Sequence, residues 1–394
     1  MTKTRRLLVW AHCHLPKPGG FERQIVEYAG RMTRKGFAVR LCCGDDVHRD
    51  VRAALHKAGV EIVTLTIREL DSVAVFARIA ARFRPDLVQY HFGSPTPVHA
   101  VVARLLGAKN VMRDHGSRTV LIPPPSGLVD RLKRLRRALI GRAMDLYLPV
   151  SAYNGEQIRN EVGVAEDKIR VLHNSIDLER FRPASDLEEK ARIRRVLGFP
   201  ETGPILAYIG QLTEEKGIPD LLAVQQELLA ARPELSTIWV GTGPLAEKVA
   251  ASAGPRTLVL GKRTDVADIL RAADLVVAPS LWFEAFSLAL AEAAATELPA
   301  VASRIGGIPE VVADGETGLL IEPGDRTALR EALLRLIDDP DLRRRMGRAG
   351  RARVERMFFL DRQIETWIGH VEALFADRSG TAPETRKTRT EISS

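Results

Sequence analysis

Short apolar runs alternate with amphipathic stretches along most of the chain, and their periods separate strands from helices. Residues 7–11, 38–42, 61–66, 87–90, 110–113 and 146–150 are largely apolar without a helical repeat, as strands covered on both faces are. Between them, residues 22–35, 72–82, 97–106, 128–142 and 154–161 space their apolar positions three and four apart, the period of a helix with one buried face. Strand then helix, repeated, builds a parallel sheet with helices on both sides, so the first half is predicted to be a doubly wound α/β domain. The rhythm lapses over residues 174–184, which read as a linker, and resumes at Pro204. Strands at 205–209, 237–240, 257–260, 275–278 and 300–302 then predict a second sheet of the same class. No fixed period relates the two halves, which argues against a solenoid.

Residues 357–375 read as a last amphipathic helix, with Phe359, Ile364, Trp367, Ile368, Val371 and Phe375 apolar. Pro123-Pro124-Pro125 interrupts the first half and is expected to form a mobile loop. From Asp377 onward the chain has little to bury and is expected to be disordered. The predicted division is therefore 1–180, 185–356, a terminal helix over 357–376 and a tail over 377–394.

Composition changes this picture in two places. Residues 1–180 hold 30 Lys or Arg against 18 Asp or Glu, a net +12, whereas the remainder holds 28 against 32, a net −4. Such asymmetry fits a first half that meets an anionic substrate or surface, and equally a solvated Arg-rich face, since 46 of the 58 basic residues are Arg. The three cysteines, Cys13, Cys42 and Cys43, have neither disulfide-framework nor metal-ligand spacing. Arg5-Arg6 before Leu-Leu-Val-Trp-Ala resembles a signal start, but His12, His14 and Pro16 end the apolar run early. No stretch approaches the roughly 20 apolar residues of a membrane span, so a cytoplasmic protein is expected.

Candidate chemistry concentrates between Pro279 and Glu310. Glu284 follows the apolar run 275–278, and Glu292 lies eight residues further on, so both carboxylates can face one side of a helix predicted over 285–295. That helix is otherwise Ala, Leu and Phe, and buried carboxylates there need partners: sugar hydroxyls would serve, and so would a structural arginine. Gly19-Gly20, Gly210 to Gly217 with Lys216, and Gly241-Thr242-Gly243 each stand between a strand and a helix, where backbone amides can meet an anion. His91 and His115 fall at the ends of two strands, the side on which such sheets bind ligands. No Gly-x-Gly-x-x-Gly, Walker lysine or Gly-x-Ser-x-Gly elbow is present, which argues against dinucleotide binding, nucleotide hydrolysis and serine hydrolase chemistry. Regularly spaced aromatic platforms for nucleic acid are also lacking.

Taken together, Gly19-Gly20-x-Glu22, His115-Gly116, Ser151, Asn174-x-Ile176-Asp177, Gly210 to Gly217, Gly241-x-Gly243, Asp274, Pro279-Ser280, Glu284 to Glu292, Gly306-Gly307-x-Pro309-Glu310 and Asp314-Gly315 resemble the retaining glycosyltransferases of family four. The resemblance runs from about residue 5 to 375 and implies the GT-B architecture, two Rossmann-like domains facing across a cleft. It implies a nucleoside diphosphate sugar, UDP- or GDP-linked, as co-substrate, with no cofactor and no metal. Glu284, Lys216 and His115 would be catalytic. Donor contacts would come from Gly19, Gly20, Gln211, Lys216, Gly241, Gly243, Glu284, Ala285, Phe286, Ser287, Leu288 and Glu292, with Glu284 on sugar hydroxyls, Glu292 on the ribose and Lys216 on the diphosphate. His91, His115 and Arg118 would face the acceptor, and the last helix would cross back to the first domain.

The sequence departs from the family pattern at Gln211, where an Arg is usual, and at Ser287 and Glu297, where glycines are usual. The expected reaction moves a hexose to a hydroxyl of a glycan or lipid-linked acceptor in envelope or exopolysaccharide synthesis. A non-catalytic sugar-nucleotide-binding protein, or a phosphorylase or epimerase on the same fold, are the alternatives. Peripheral contact with the inner face of the cell membrane is expected through the basic stretch 131–142, where Leu132, Leu135, Leu139 and Ile140 can form an apolar face.

Overall fold

A computed structural model describes residues 4–94, 96–116 and 127–376. Arg118, the triple proline and the tail beyond 376 therefore lie outside the described residues.

The first sheet contains β1 (Arg6–Ala11), β2 (Ala38–Gly44), β3 (Glu61–Leu65), β4 (Leu87–His91), β5 (Lys109–Asp114) and β6 (Leu146–Pro149) in the order β3-β2-β1-β4-β5-β6. The second contains β7 (Ile205–Ile209), β8 (Ser236–Val240), β9 (Thr257–Gly261), β10 (Leu275–Ala278), β11 (Ala300–Ser303) and β12 (Gly318–Ile321) in the order β12-β11-β10-β7-β8-β9. Counted within its own half, the second order is the same as the first. Every pairing is parallel. Strand order reverses between β1 and β4 and again between β7 and β10, and the crevice outside the carboxyl ends of such a reversal is where open α/β sheets hold ligands.

Each sheet is covered on both faces. In the first half, Leu7, Val9 and Leu41 pack on one side, and Leu8, Trp10 and Tyr90 on the other. In the second, Ala207, Ile238 and Val276 face one layer, and Leu206, Trp239 and Val277 the other. This two-sided burial explains why the strands read as apolar runs and not as alternations.

Two predicted helix boundaries are corrected. The helix expected from residue 357 begins at Leu360, because Met357 closes the preceding helix Pro340–Met357. Between them the backbone pairs with the linker: Ile176 N donates to Phe358 O at 2.7 Å and Leu360 N to Ile176 O at 3.1 Å. The helix expected over 285–295 runs Leu288–Ala295, because Ser287 takes φ +74°, a left-handed conformation that cannot continue a right-handed helix backwards. Glu284 thus belongs to a loop, and the two carboxylates do not share one helix. Glu297 also sits at positive φ, +60°, so both positions where glycine was expected have backbones that favour glycine.

The helix Leu360–Ala376 returns to the first half, where Ile364, Trp367, Ile368 and Val371 join Leu7, Val9 and Ile25 in one core. Trp367 stacks on Tyr28 with ring centroids 3.7 Å apart, and Lys35 pairs with Glu372 at 2.9 Å on the rim.

Candidate active site

A cavity of about 190 Å³ opens at the carboxyl ends of β7 and β10, the reversal point of the second sheet. Its walls include Gly210, Gln211, Lys216, Ser280, Glu284, Ser287 and Leu288. Lys216 ends a short turn, Glu214–Lys216, that precedes the helix Ile218–Ala231, and its Nζ lies 2.9 Å from Glu284 Oε1. Ser280 Oγ donates to the same carboxylate oxygen at 2.6 Å. The loop carrying Glu284 is held from below by Gly306-Gly307, with Gly307 N donating to Glu284 O at 2.7 Å. The half-buried Lys216–Glu284 pair therefore presents a cation and a hydrogen-bond acceptor on one wall. Beside it, the helix from Leu288 starts without a side-chain cap, leaving amide donors at a cavity edge.

Glu292 lies elsewhere, in the crevice between domains with Gly20, Arg180 and Leu360. A Cβ placed on Gly20 would stand 3.5 Å from Glu292 Oε1, so the Gly19-Gly20 turn faces the second domain directly. Burial pushes the Glu292 carboxyl up to about 7, against the pull of Arg180 and Lys17. Gly241 and Gly243 stand behind the Gly210–Leu212 turn and do not line the cavity. Ala285 and Phe286 are buried, Phe286 packing edge-on against Phe358.

Across the cleft, His91 ends β4 and His115 follows β5, with His91 Nδ1 3.3 Å from His115 Nε2. Phe21 packs edge-on against both rings and Phe92 stacks on His115. Burial and then the neighbouring Arg113 cation hold His91 down at about 3, and burial, Arg113 and His91 together hold His115 well below the usual imidazole range. Burial and the Arg113 cation both favour the neutral form of each ring.

Sequence reasoning missed several groups. Glu310 accepts from the backbone N–H groups of Ala152 and Tyr153 at 2.8 and 3.0 Å and pairs with His173 at 3.1 Å. It thereby caps a first-domain helix, Ala152–Val162, from the second domain. Arg180 bridges the same gap, donating to Pro18 O and Thr264 O. Lys17 stands close enough to act on both Glu22 and Glu292, a positive charge in the cleft. Glu310 stood within the Gly306-Gly307-x-Pro309-Glu310 motif and Lys17 near the glycine pair, but neither the capping role of the first nor the reach of the second is local, and Arg180 left no signal.

Two family descriptions match in tandem, Glycosyltransferase Family 4 over residues 18–180 and Glycosyl transferases group 1 over residues 189–353. The GDP-mannose-dependent monoacylated alpha-(1-6)-phosphatidylinositol monomannoside mannosyltransferase of Corynebacterium glutamicum is 31% identical over 371 residues, 90% of this chain and 94% of that one. The chain belongs to glycosyltransferase family 4. Among solved structures, a Rickettsia africae glycosyltransferase aligns with a TM-score of 0.78 at 20% identity, over 96% of this chain and 100% of that one. Anabaena HepE in complex with UDP aligns at 0.75 and 19%, over 94% and 100%. These likenesses carry the fold, the GT-B arrangement of two Rossmann-like domains. This family-4 glycosyltransferase keeps Gln211 exposed at the cavity, its backbone oxygen accepting from Tyr208 Oη at 2.7 Å, so Lys216 is the cation on that wall.

Proposed function

We propose that this glycosyltransferase moves a hexose from a UDP- or GDP-sugar to an acceptor hydroxyl with retention of configuration and without a metal. The observation that carries this reading is the Lys216–Glu284 pair on the wall of the switch-point cavity. The ammonium and the amides from Leu288 suit a diphosphate, the Glu284 carboxylate suits sugar hydroxyls, and Glu292 suits the ribose. The acceptor hydroxyl attacks the anomeric carbon on the face from which the diphosphate leaves. The carbon–oxygen bond to phosphate breaks with its electron pair on the diphosphate, whose oxygen takes the acceptor's proton. The Corynebacterium relative's name specifies GDP-mannose and a lipid acceptor, while HepE was solved with UDP, so both bases belong in the test. Purified protein given a panel of UDP- and GDP-sugars should release free UDP or GDP faster when a lipid or glycan acceptor is added, for one donor above the rest. A nucleotide sugar that binds while no acceptor raises release would instead mark a non-catalytic binding protein.

The acceptor is proposed to be presented at an anionic membrane surface. Leu128, Leu132, Leu135 and Leu139, on one face of the helix Leu128–Gly141, are 73, 55, 57 and 52% exposed, so this stripe points away from the core. Ile140, expected on the same face, is buried instead, a step of about 100° around the helix from Leu139. Arg131, Arg136 and Arg142 are exposed beside the stripe, and each basic residue near anionic lipid contributes about 1 kcal/mol. The side chains of Lys133 and Arg134 lie outside the described ones. Among the described residues no helix is long and apolar enough to cross a membrane. Flotation with phosphatidylglycerol vesicles should recover the protein at low salt and much less at high salt. Failure to float at low salt removes the membrane part of the reading.

A further inference from the structure

The two histidines are the end of a longer hydrogen-bonded chain that begins on the returning helix. Trp367 Nε1, a group that can only donate, lies 3.0 Å from Gln89 Oε1. That contact fixes the orientation of the Gln89 amide, whose Nε2 then faces His91 Nε2 at 2.7 Å. An amide nitrogen donates, so His91 Nε2 must accept and carries no proton. A neutral imidazole holds its single proton on the other nitrogen, and His91 Nδ1 therefore donates to His115 Nε2, 3.3 Å away. His115 in turn keeps its proton on Nδ1, which has no partner among the described residues. Gln89, His91 and Trp367 are all within 2% of full burial, so water does not compete for these bonds. The buried Arg113 guanidinium, 5.4 Å from the Trp367 ring, is the charged group that acts on both imidazoles, and it opposes a second proton on either.

We infer that Trp367, through Gln89 and His91, fixes His115 as its Nδ1–H tautomer, so that His115 offers the reacting sugar a hydrogen-bond donor and never a general base. Gln89, His91 and Trp367 are positioning residues. The link to the sugar rests on the reading of His115 as a catalytic residue at the cleft, while the tautomer does not. The arrangement also makes the returning helix part of the active site: only when Trp367 is docked does Gln89 have a reason to point its amide nitrogen at His91. Without that donor the glutamine can flip, and the polarity of the whole chain reverses with it.

The test reads the tautomer directly. Long-range proton–nitrogen correlation spectra of histidine-labelled protein, with the signal assigned by its loss in His115→Gln, should show His115 neutral and protonated at Nδ1 at pH 7. An Nε2–H or doubly protonated His115 overturns the inference, whether or not any donor is turned over. Trp367→Phe keeps an aromatic ring over Tyr28 while deleting the seeding N–H together with part of the buried indole, so its melting temperature is read alongside to account for the cavity. It should give mixed tautomers at His115 and lower kcat by roughly ten- to a hundredfold, as loss of a ring-orienting partner does elsewhere, with KM for the donor little changed. Wild-type tautomers in Trp367→Phe would show that the tryptophan does not set the polarity. Mixed tautomers with unchanged kcat would separate the relay from the sugar step.

Discussion

Lys216→Ala is expected to lower kcat by roughly 10² to 10³, about 2.7 to 4 kcal/mol, while weakening donor binding much less. Negative charge on the diphosphate is larger when the glycosidic bond is breaking than in the bound donor, so a fixed cation stabilises the transition state more than the ground state. Two features of the site sharpen the effect. Gln211 supplies no charge where it meets the cavity, which leaves Lys216 as the cation of that wall. Lys216 also holds Glu284, and its loss leaves Ser280 as the remaining described hydrogen-bond partner of the carboxylate proposed to bind sugar hydroxyls. The same assay should be run with EDTA, which is expected to leave wild-type turnover intact. If chelation abolishes turnover while Lys216→Ala keeps a near-normal kcat, a metal ion neutralises the diphosphate and the role proposed for Lys216 is wrong.

Gly241→Ala is expected to cost more than about 4 kcal/mol of stability, enough to prevent accumulation of folded protein. At φ +144° Gly241 occupies backbone space that other residues rarely enter, and a Cβ there would lie 1.7 Å from the Gly210 carbonyl oxygen. The clash is with main chain, so no side chain can move to relieve it. Gly210 N and Leu212 N are hydrogen-bonded to Val240 O and Thr242 O, both at 3.0 Å, so any retreat of the turn breaks the support of the switch-point cavity. Gly163→Ala is the control: φ is +69° at this helix end and nothing lies within 4 Å, so only the left-handed cost of about 1 to 2 kcal/mol remains. Denaturant melts of the two variants giving similar losses would show that the Gly210 contact is not as close as described.

Much of the fold was legible in local pattern because both sheets are buried on two faces, which turns strands into apolar words separated by amphipathic helices. The strand Gly318–Ile321 escaped that reading because it is four residues long, begins with glycine and lies at a sheet edge. The helix Arg49–Lys57 escaped because it buries only Val51 and Leu55. Lys216, Gln211 and Glu284 were found through their place after β7 and β10, where topology brings strand ends together. The separation of Glu284 from Glu292 was hidden, since spacing on a helix is informative only where the helix exists, and Ser287 ends it. Contacts such as Trp367 with Gln89 or Glu310 with Ala152 join residues far apart in sequence, and no local period records them.

The returning helix also sets an order of manufacture. The first domain's six strands are all made before the second domain is begun, yet Ile364, Trp367, Ile368 and Val371, which complete its core, emerge only after the second domain has been translated. During synthesis the nascent first domain therefore waits with an open apolar groove over Tyr28 and Ile25, and the domain that leaves the ribosome first is finished last.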